Sequence, residues 1–322
     1  MLRSRRGLRV RPGSIVSTVS RISTTCDVVA FCSSSGHCQL DCAYCIVVPV
    51  IKRNPSLTLE DLDYFLGAVG KRTFFIFSGK GDFFAGYARR DRLLEHLLER
   101  YVEVALDVNG VLLNEYPELS REKLDRIRAV NLTLHYKQIV DKRVTAAWAE
   151  NARTLLSLHR GEMILGTILS PLSRESWGES LDFYRREIFE KTGQRIWLIK
   201  DCDRPMSPEE TADVAALEAR HGDMVEKTHR DDFSGAFAGR EQVLCPAGAE
   251  YFRVWNDGRV EGCPYVEALG GLGNLKERTF SPRKGPFACS TPRFCDCYDL
   301  LQLGKMRDAS GAPLALTPPP RG

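Results

Sequence analysis

From Asp27 onward, short β-branched or aromatic runs alternate with stretches in which apolar residues recur every three or four positions. The first pattern is that of a strand and the second that of an amphipathic helix. Strands are predicted over Val28 to Phe31, Thr73 to Phe77, Val102 to Asp107, Asn131 to His135, Met163 to Leu169 and Ile196 to Lys200. Helices are predicted over Leu57 to Val69, Arg89 to Tyr101, Arg121 to Val130, Arg143 to His159 and Ser176 to Thr192. Ser56 and Ser120 stand where N-caps belong, and Gly70, Gly161 and Gly193 stand where helices should end. Strand and helix in alternation give βα units and a parallel sheet, so the predicted fold class is α/β, and six such strands fit a partial (βα)6 barrel of the TIM type.

Past the sixth strand the rhythm changes. A polar, proline-containing stretch from Asp203 to Ser207 leads into a helical segment, Pro208 to His221, and then into Gly235 to Gly239. These features divide the chain into a leader (1–26), a core (27–203), a linker with a helix (204–240), a cysteine-rich C-terminal unit (241–300) and a tail (301–322). The leader carries Arg3, Arg5, Arg6, Arg9, Arg11 and Arg21 with no acid before Asp27. It reads as a disordered basic extension, with an organellar transit peptide or a partner-contacting arm as alternatives.

Composition narrows the function classes. A chain of 322 residues with 43% hydrophobic residues is long enough for one large core and a smaller second unit. Its net charge of +3 gives no electrostatic case for nucleic acid or an anionic membrane. The longest apolar run, Ile46 to Ile51, is interrupted by Pro49 and falls far short of the roughly 20 residues a span needs. The 11 cysteines fall mostly into two clusters with metal-ligand spacing rather than a disulfide framework. A reducing, cytoplasmic location follows as the expectation.

The first cluster is Cys38-Gln39-Leu40-Asp41-Cys42-Ala43-Tyr44-Cys45. Cysteine thiolates are the usual ligands of iron-sulfur clusters. Three of them on one loop leave the fourth iron of a 4Fe-4S cube open to another ligand. A zinc knuckle is the competing reading of the Cys-x-x-Cys pair. On this CxxxCxxC run, with an aromatic residue before the third cysteine, the chain resembles the radical S-adenosylmethionine (SAM) superfamily. The resemblance implies a partial-barrel core, Cys38, Cys42 and Cys45 as cluster ligands, and Tyr44 packed near the adenine of SAM. It also implies reductive cleavage of SAM to a 5'-deoxyadenosyl radical, and an external electron donor such as a flavodoxin or ferredoxin. Ser78-Gly79-Lys80-Gly81-Asp82 stands where the superfamily has a Gly-Gly-Glu type motif contacting the SAM amino group, so Ser78, Gly79, Gly81 and Asp82 are candidate cofactor contacts. The spacing departs from that motif, and a plain glycine-rich turn competes. His135, at the end of the fourth strand, is a further candidate for SAM or substrate, and Thr167 and Leu169 straddle Ile168 on the fifth strand, where either set is able to face inward.

The second cluster comprises Cys245, Cys263, Cys289, Cys295 and Cys297. Asn256-Asp257-Gly258 between β-like runs predicts a hairpin, and Gly258 to Cys263 fits a Gly-x-x-x-x-Cys element. This layout resembles the SPASM and twitch extensions of radical SAM enzymes, which implies one auxiliary 4Fe-4S cluster on Cys245, Cys263, Cys289 and either Cys295 or Cys297. A structural zinc site is the alternative. Cys26, Cys32 and Cys202 are read as ordinary thiols. The expected activity is oxidation or cross-linking of a peptide or protein side chain. A radical SAM dehydrogenase or carbon-carbon bond-forming enzyme on a small molecule is the alternative, and a non-catalytic iron-sulfur or zinc-binding protein is the reading from another class.

Overall fold

The six predicted runs become six parallel strands: β1 (Val28–Ser33), β2 (Thr73–Ser78), β3 (Glu103–Val108), β4 (Ala129–Leu134), β5 (Glu162–Leu169) and β6 (Ile196–Lys200). The computed structural model describes residues 26–33, 38–45, 57–78, 81–85, 92–100, 102–113, 121–201, 206–229, 243–263, 271–289, 307–308 and 310–312. The longer described helices are α1 (Leu59–Val69), α2 (Leu93–Glu99), α3 (Arg121–Arg126), α4 (Tyr136–Asp141), α5 (Thr145–Leu158), α6 (Trp177–Tyr184) and α7 (Pro208–Arg220), with a 3-10 helix at Pro171–Ser176 and a single helical turn at Glu190–Thr192. A π-helical turn, Arg185–Phe189, continues α6.

The remaining strands are β7 (Val225–His229), β8 (Val243–Cys245), β9 (Tyr251–Val254), β10 (Arg259–Glu261), β11 (Gly271–Asn274), β12 (Phe287–Cys289) and β13 (Arg307–Asp308). Ten of these strands form one sheet in the order β11-β10-β9-β1-β2-β3-β4-β5-β6-β7. The run from β9 to β7 is parallel throughout, whereas β10 and β11 are antiparallel additions at one edge. The protein is therefore α/β with a large, mostly parallel sheet. A separate three-stranded sheet has the order β12-β8-β13.

Strand periodicity sorts the core. Val28, Ala30 and Cys32 of β1 join Phe75 and Phe77 of β2, Leu106 of β3 and Leu132 of β4 in one hydrophobic cluster with Leu62 and Phe65 of α1, Leu97 of α2 and Trp148 of α5. Successive residues of a strand point to opposite faces, so the helices share one face of the sheet. On the other face Val29, Phe31, Phe74, Ile76 and Ala105 are also buried. A second hydrophobic cluster there, Ile164, Ile168, Trp197 and Ile199, consists of strand residues alone.

Several boundaries differ from the sequence expectation. The helix predicted over Arg121 to Val130 stops at Arg126, because Ala129 and Val130 pair with Ala105 and Leu106 of β3. Gly161 is not a helix end: α5 ends with His159 as its C-cap, and Gly161 allows the chain to pass Arg128, whose carbonyl would lie 2.6 Å from an added Cβ. Thr58 caps α1, with Asp61 completing a capping box, whereas Ser56 and Ser120 lie outside the described residues. Gly70 and Gly193 do end helices, with φ of +61° and +72°. The segment predicted as one helix from Ser176 to Thr192 contains the π turn, where Arg153 Nη1 donates to the Glu187 carbonyl at 3.1 Å and competes with the helical ladder.

Candidate functional site

In a parallel sheet the C-terminal strand ends open onto the loops that carry ligands. The Cys38–Cys45 loop follows β1 at that end. The backbone N–H of Cys45 donates to the Cys42 carbonyl at 2.9 Å, closing a tight turn, and Lys142 Nζ ties the exposed Asp41 to the end of α4 at 2.7 Å.

The three thiols feel one another. Burial pushes the Cys42 thiol up, and Cys38 and Cys45 push it further. Burial also pushes the Cys38 thiol up to about 11; the Leu40 N–H pulls it back, Asp82 and Cys45 push it up, and the Asn109 amide pulls it back. Among the described residues, no three His, Cys, Asp or Glu side chains are gathered closely enough to form a ready metal-ligand group. The donor chemistry nevertheless fits a thiolate-ligated cationic cluster: the Cys38 and Cys42 thiols resist ionisation because of burial and neighbouring like charge, and bound cations oppose both causes.

Two polar networks hold this loop. On one side Asn109, directly after β3, accepts from Gln39 Nε2 at 2.7 Å and donates from Nδ2 to Cys38 Sγ at 3.5 Å. Gly110, at φ +76°, makes the following turn, where an added Cβ would lie 2.5 Å from Leu132 Cδ1. On the other side the Tyr44 hydroxyl lies 2.8 Å from His135 Nδ1 and donates to Gln138 Oε1 at 3.1 Å. His135 Nδ1 is also 3.6 Å from Cys42 Sγ. The His135 ring is half-buried by area, but its nitrogen is enclosed by protein atoms, and that desolvation lowers its pKa to about 4. It therefore acts as a neutral imidazole at physiological pH.

Asp82, expected at a SAM contact, has its carboxylate occupied by backbone donors: Phe84 N at 3.0 Å, Ala85 N at 3.3 Å and Asn109 N at 2.7 Å. It caps the short turn after β2 and joins that turn to the loop after β3. Gly81 has φ of +106°, a conformation that suits glycine. Gly79 lies outside the described residues. Ser78 is buried at the end of β2 and donates to Asp107.

Below the loop, a polar row crosses four neighbouring strands on the face away from the helices. Ser33 pairs in register with Ser78, and Asp107 pairs with Asn131, whose amide nitrogen donates to its carboxylate. Burial pushes the pKa of half-buried Asp107 up to about 6, against the lowering effect of Ser78 and Asn131. Thr167 faces the helices, bonded to the Leu134 carbonyl at 3.1 Å and lying 3.3 Å from Ser180 Oγ. Ile168 occupies the opposite face.

In the second cysteine group, Cys245 lies on β8 and Cys289 on β12, with Cys289 opposite Val243. Opposed residues share a face, as do residues two apart, so Cys245 and Cys289 point to the same side. Gly262, the residue before Cys263, packs against the turn that follows β8: an added Cβ there would lie 2.9 Å from Gly248 N. All three thiols are buried. The hairpin predicted at Asn256-Asp257-Gly258 joins β9 and β10, and it extends the main sheet beside β1. Cys295, Cys297 and Cys202 lie outside the described residues. Cys26 and Cys32 are buried, and Cys32 is wholly enclosed in the helix-side core.

Sequence reasoning did not find Asn109, Gln39, Gln138, Asp107 or Asn131. The only local signal was a polar break, Asn109-Gly110, at the end of a strand-like run. The chain matches no family model, and it matches no curated protein.

Proposed function

We propose that the chain is a radical SAM enzyme that oxidises or cross-links a peptide or protein side chain. The observation that carries this reading is the placement of Cys38, Cys42 and Cys45 on one loop at the C-terminal end of a parallel sheet. The consecutive order β1 to β6 supports a partial (βα)6 barrel. Right-handed crossovers in that order put every helix on one face, and curling the sheet then encloses the other face, whose strand-only cluster is buried.

Cys38, Cys42 and Cys45 would hold a 4Fe-4S cluster, and Cys245, Cys263 and Cys289 an auxiliary one, with Cys295 or Cys297 completing the set. When bound with SAM, the first cluster would supply the electron that yields a 5'-deoxyadenosyl radical able to take hydrogen from substrate. The residues of the chain do the positioning. Tyr44, His135 and Gln138 fix one arm of the cysteine loop, and Asp82 and Asn109 fix the other. The Ser78, Asp107 and Asn131 row presents hydrogen-bonding groups on the enclosed face, where they would orient substrate. The buried sheet face excludes bulk water from that region. The electron would come from an external donor of the flavodoxin or ferredoxin kind.

Anaerobic reconstitution with iron and sulfide, followed by iron counting and a dithionite-driven assay for 5'-deoxyadenosine, tests the proposal. The expected result is about eight irons per chain and deoxyadenosine from the parent protein but not from a Cys38→Ala, Cys42→Ala, Cys45→Ala variant. A fully loaded parent that forms none would overturn the catalytic reading, and zinc bound in place of iron would leave a structural metal protein.

A further inference from the structure

Asn109 bonds the cysteine loop at two residues, Gln39 and Cys38. Its side chain is 5% exposed and makes contacts on every polar atom. Its backbone N–H donates to Asp82 Oδ2 at 2.7 Å, and its Oδ1 accepts from Val111 N at 3.0 Å and from Gln39 Nε2 at 2.7 Å. The Val111 donor is a backbone N–H, so the atom facing it is an acceptor, and this settles which end of the amide is oxygen. Its NH2 group is consequently left facing Cys38 Sγ at 3.5 Å. A flipped amide would set NH2 against the Val111 N–H and a carbonyl oxygen against the sulfur, losing contacts at both ends.

The Cys38 sulfur also receives the Leu40 backbone N–H at 3.4 Å. Cys38 thus accepts two N–H donors, one of them a side chain held by two other hydrogen bonds, from Val111 N and Gln39 Nε2. Hydrogen bonds to ligating sulfurs are among the factors that set the potential of an iron-sulfur cluster. Reduction adds negative charge to the cluster and its sulfurs, and an N–H dipole aimed at a sulfur stabilises the more negative state.

We propose that Asn109 is a positioning residue that raises the reduction potential of the cluster held by Cys38, Cys42 and Cys45 through its N–H bond to Cys38 Sγ. The inference rests on the reading of those three cysteines as cluster ligands. It assigns to Asn109 a second role as well, anchoring Gln39 so that the loop keeps Cys38 turned toward the amide.

The test is a redox titration followed by electron paramagnetic resonance on the reconstituted full chain, reading the signal that Cys38→Ala abolishes. Asn109→Leu keeps the approximate volume and removes the donor. Asn109→Asp keeps an acceptor for Val111 N–H and Gln39 while replacing the donor with a carboxylate oxygen. Loss of one hydrogen bond of ordinary strength should shift the one-electron reduction equilibrium roughly two- to tenfold toward the oxidised cluster, the upper end being 59 mV. Asn109→Asp should shift it at least as far, with iron content near that of the parent. A parent that binds no cluster at these cysteines would remove the reading on which the inference rests, whatever Asn109 does. A loaded parent with an unchanged potential in either loaded variant would overturn the role of Asn109 itself. Loss of loading in both variants with circular dichroism intact would assign Asn109 to cluster assembly, and would equally overturn it as a tuning residue.

Discussion

At the scale of single residues, the physical chemistry of the site is dominated by carboxyls and thiols that have lost water. Asp107 has its pKa pushed from 3.8 up to about 6 by burial, and Asp82 is pushed to about 6 for the same reason. A raised carboxyl pKa means that the native state keeps a proton which the unfolded chain releases. Stability is therefore fully present below about pH 4, falls as the pH rises toward 6, and stays lowered above that. Asp107→Asn should flatten the fall in melting temperature between pH 4 and pH 7 and raise stability at pH 8. Identical pH profiles for parent and variant would show that this carboxyl is well solvated. Asn109 shows why the residue scale eluded the sequence. An asparagine after a strand is a common turn residue, and only the fold places its amide against a thiol 71 positions earlier.

At the scale of elements, the strands were legible because β-branched and aromatic runs have nowhere else to go in a buried parallel sheet. Val28 to Phe31, Thr73 to Phe77 and Ile196 to Lys200 were found within two residues of their observed limits. Helix ends were less legible. The cap of α1 is Thr58, whose hydroxyl accepts from Asp61 N at 3.2 Å while Asp61 Oδ2 accepts from Thr58 N at 3.0 Å. Thr58→Ala should cost about 1 kcal/mol in unfolding free energy, read by chemical denaturation. Asp61 adds a longer-range tie, since Arg278 Nη1 lies 3.2 Å from Oδ1 and Lys276 Nζ 3.8 Å from Oδ2. No local pattern announces a capping residue that also pairs with charges more than two hundred positions away.

At the scale of the whole molecule, the C-terminal region is bound to the core through sheet and side chains together. β9 pairs with β1 in parallel, and Phe280 stacks on Phe65 of α1 at 5.2 Å and meets Phe252 of β9 edge-on at 5.5 Å. Phe280→Ala should destabilise the protein by about 3–5 kcal/mol and lower the midpoint of a single unfolding transition. A separate early transition confined to the C-terminal residues would show that the two parts unfold independently. No described helix is long and apolar enough to cross a membrane, in keeping with the interrupted apolar run noted in the sequence.

The sequence by itself determined the α/β alternation, the six core strands and the two groups of cysteines, because hydrophobic period and thiol spacing are local properties of the chain. Tertiary structure alone decided that β9 and β10 extend the main sheet, that Asp82 serves backbone donors, and that Asn109, His135 and Gln138 surround the cysteine loop. Those outcomes depend on which strand ends become neighbours. Strand order and register fix that, through hydrogen bonds and packing between residues far apart in the chain.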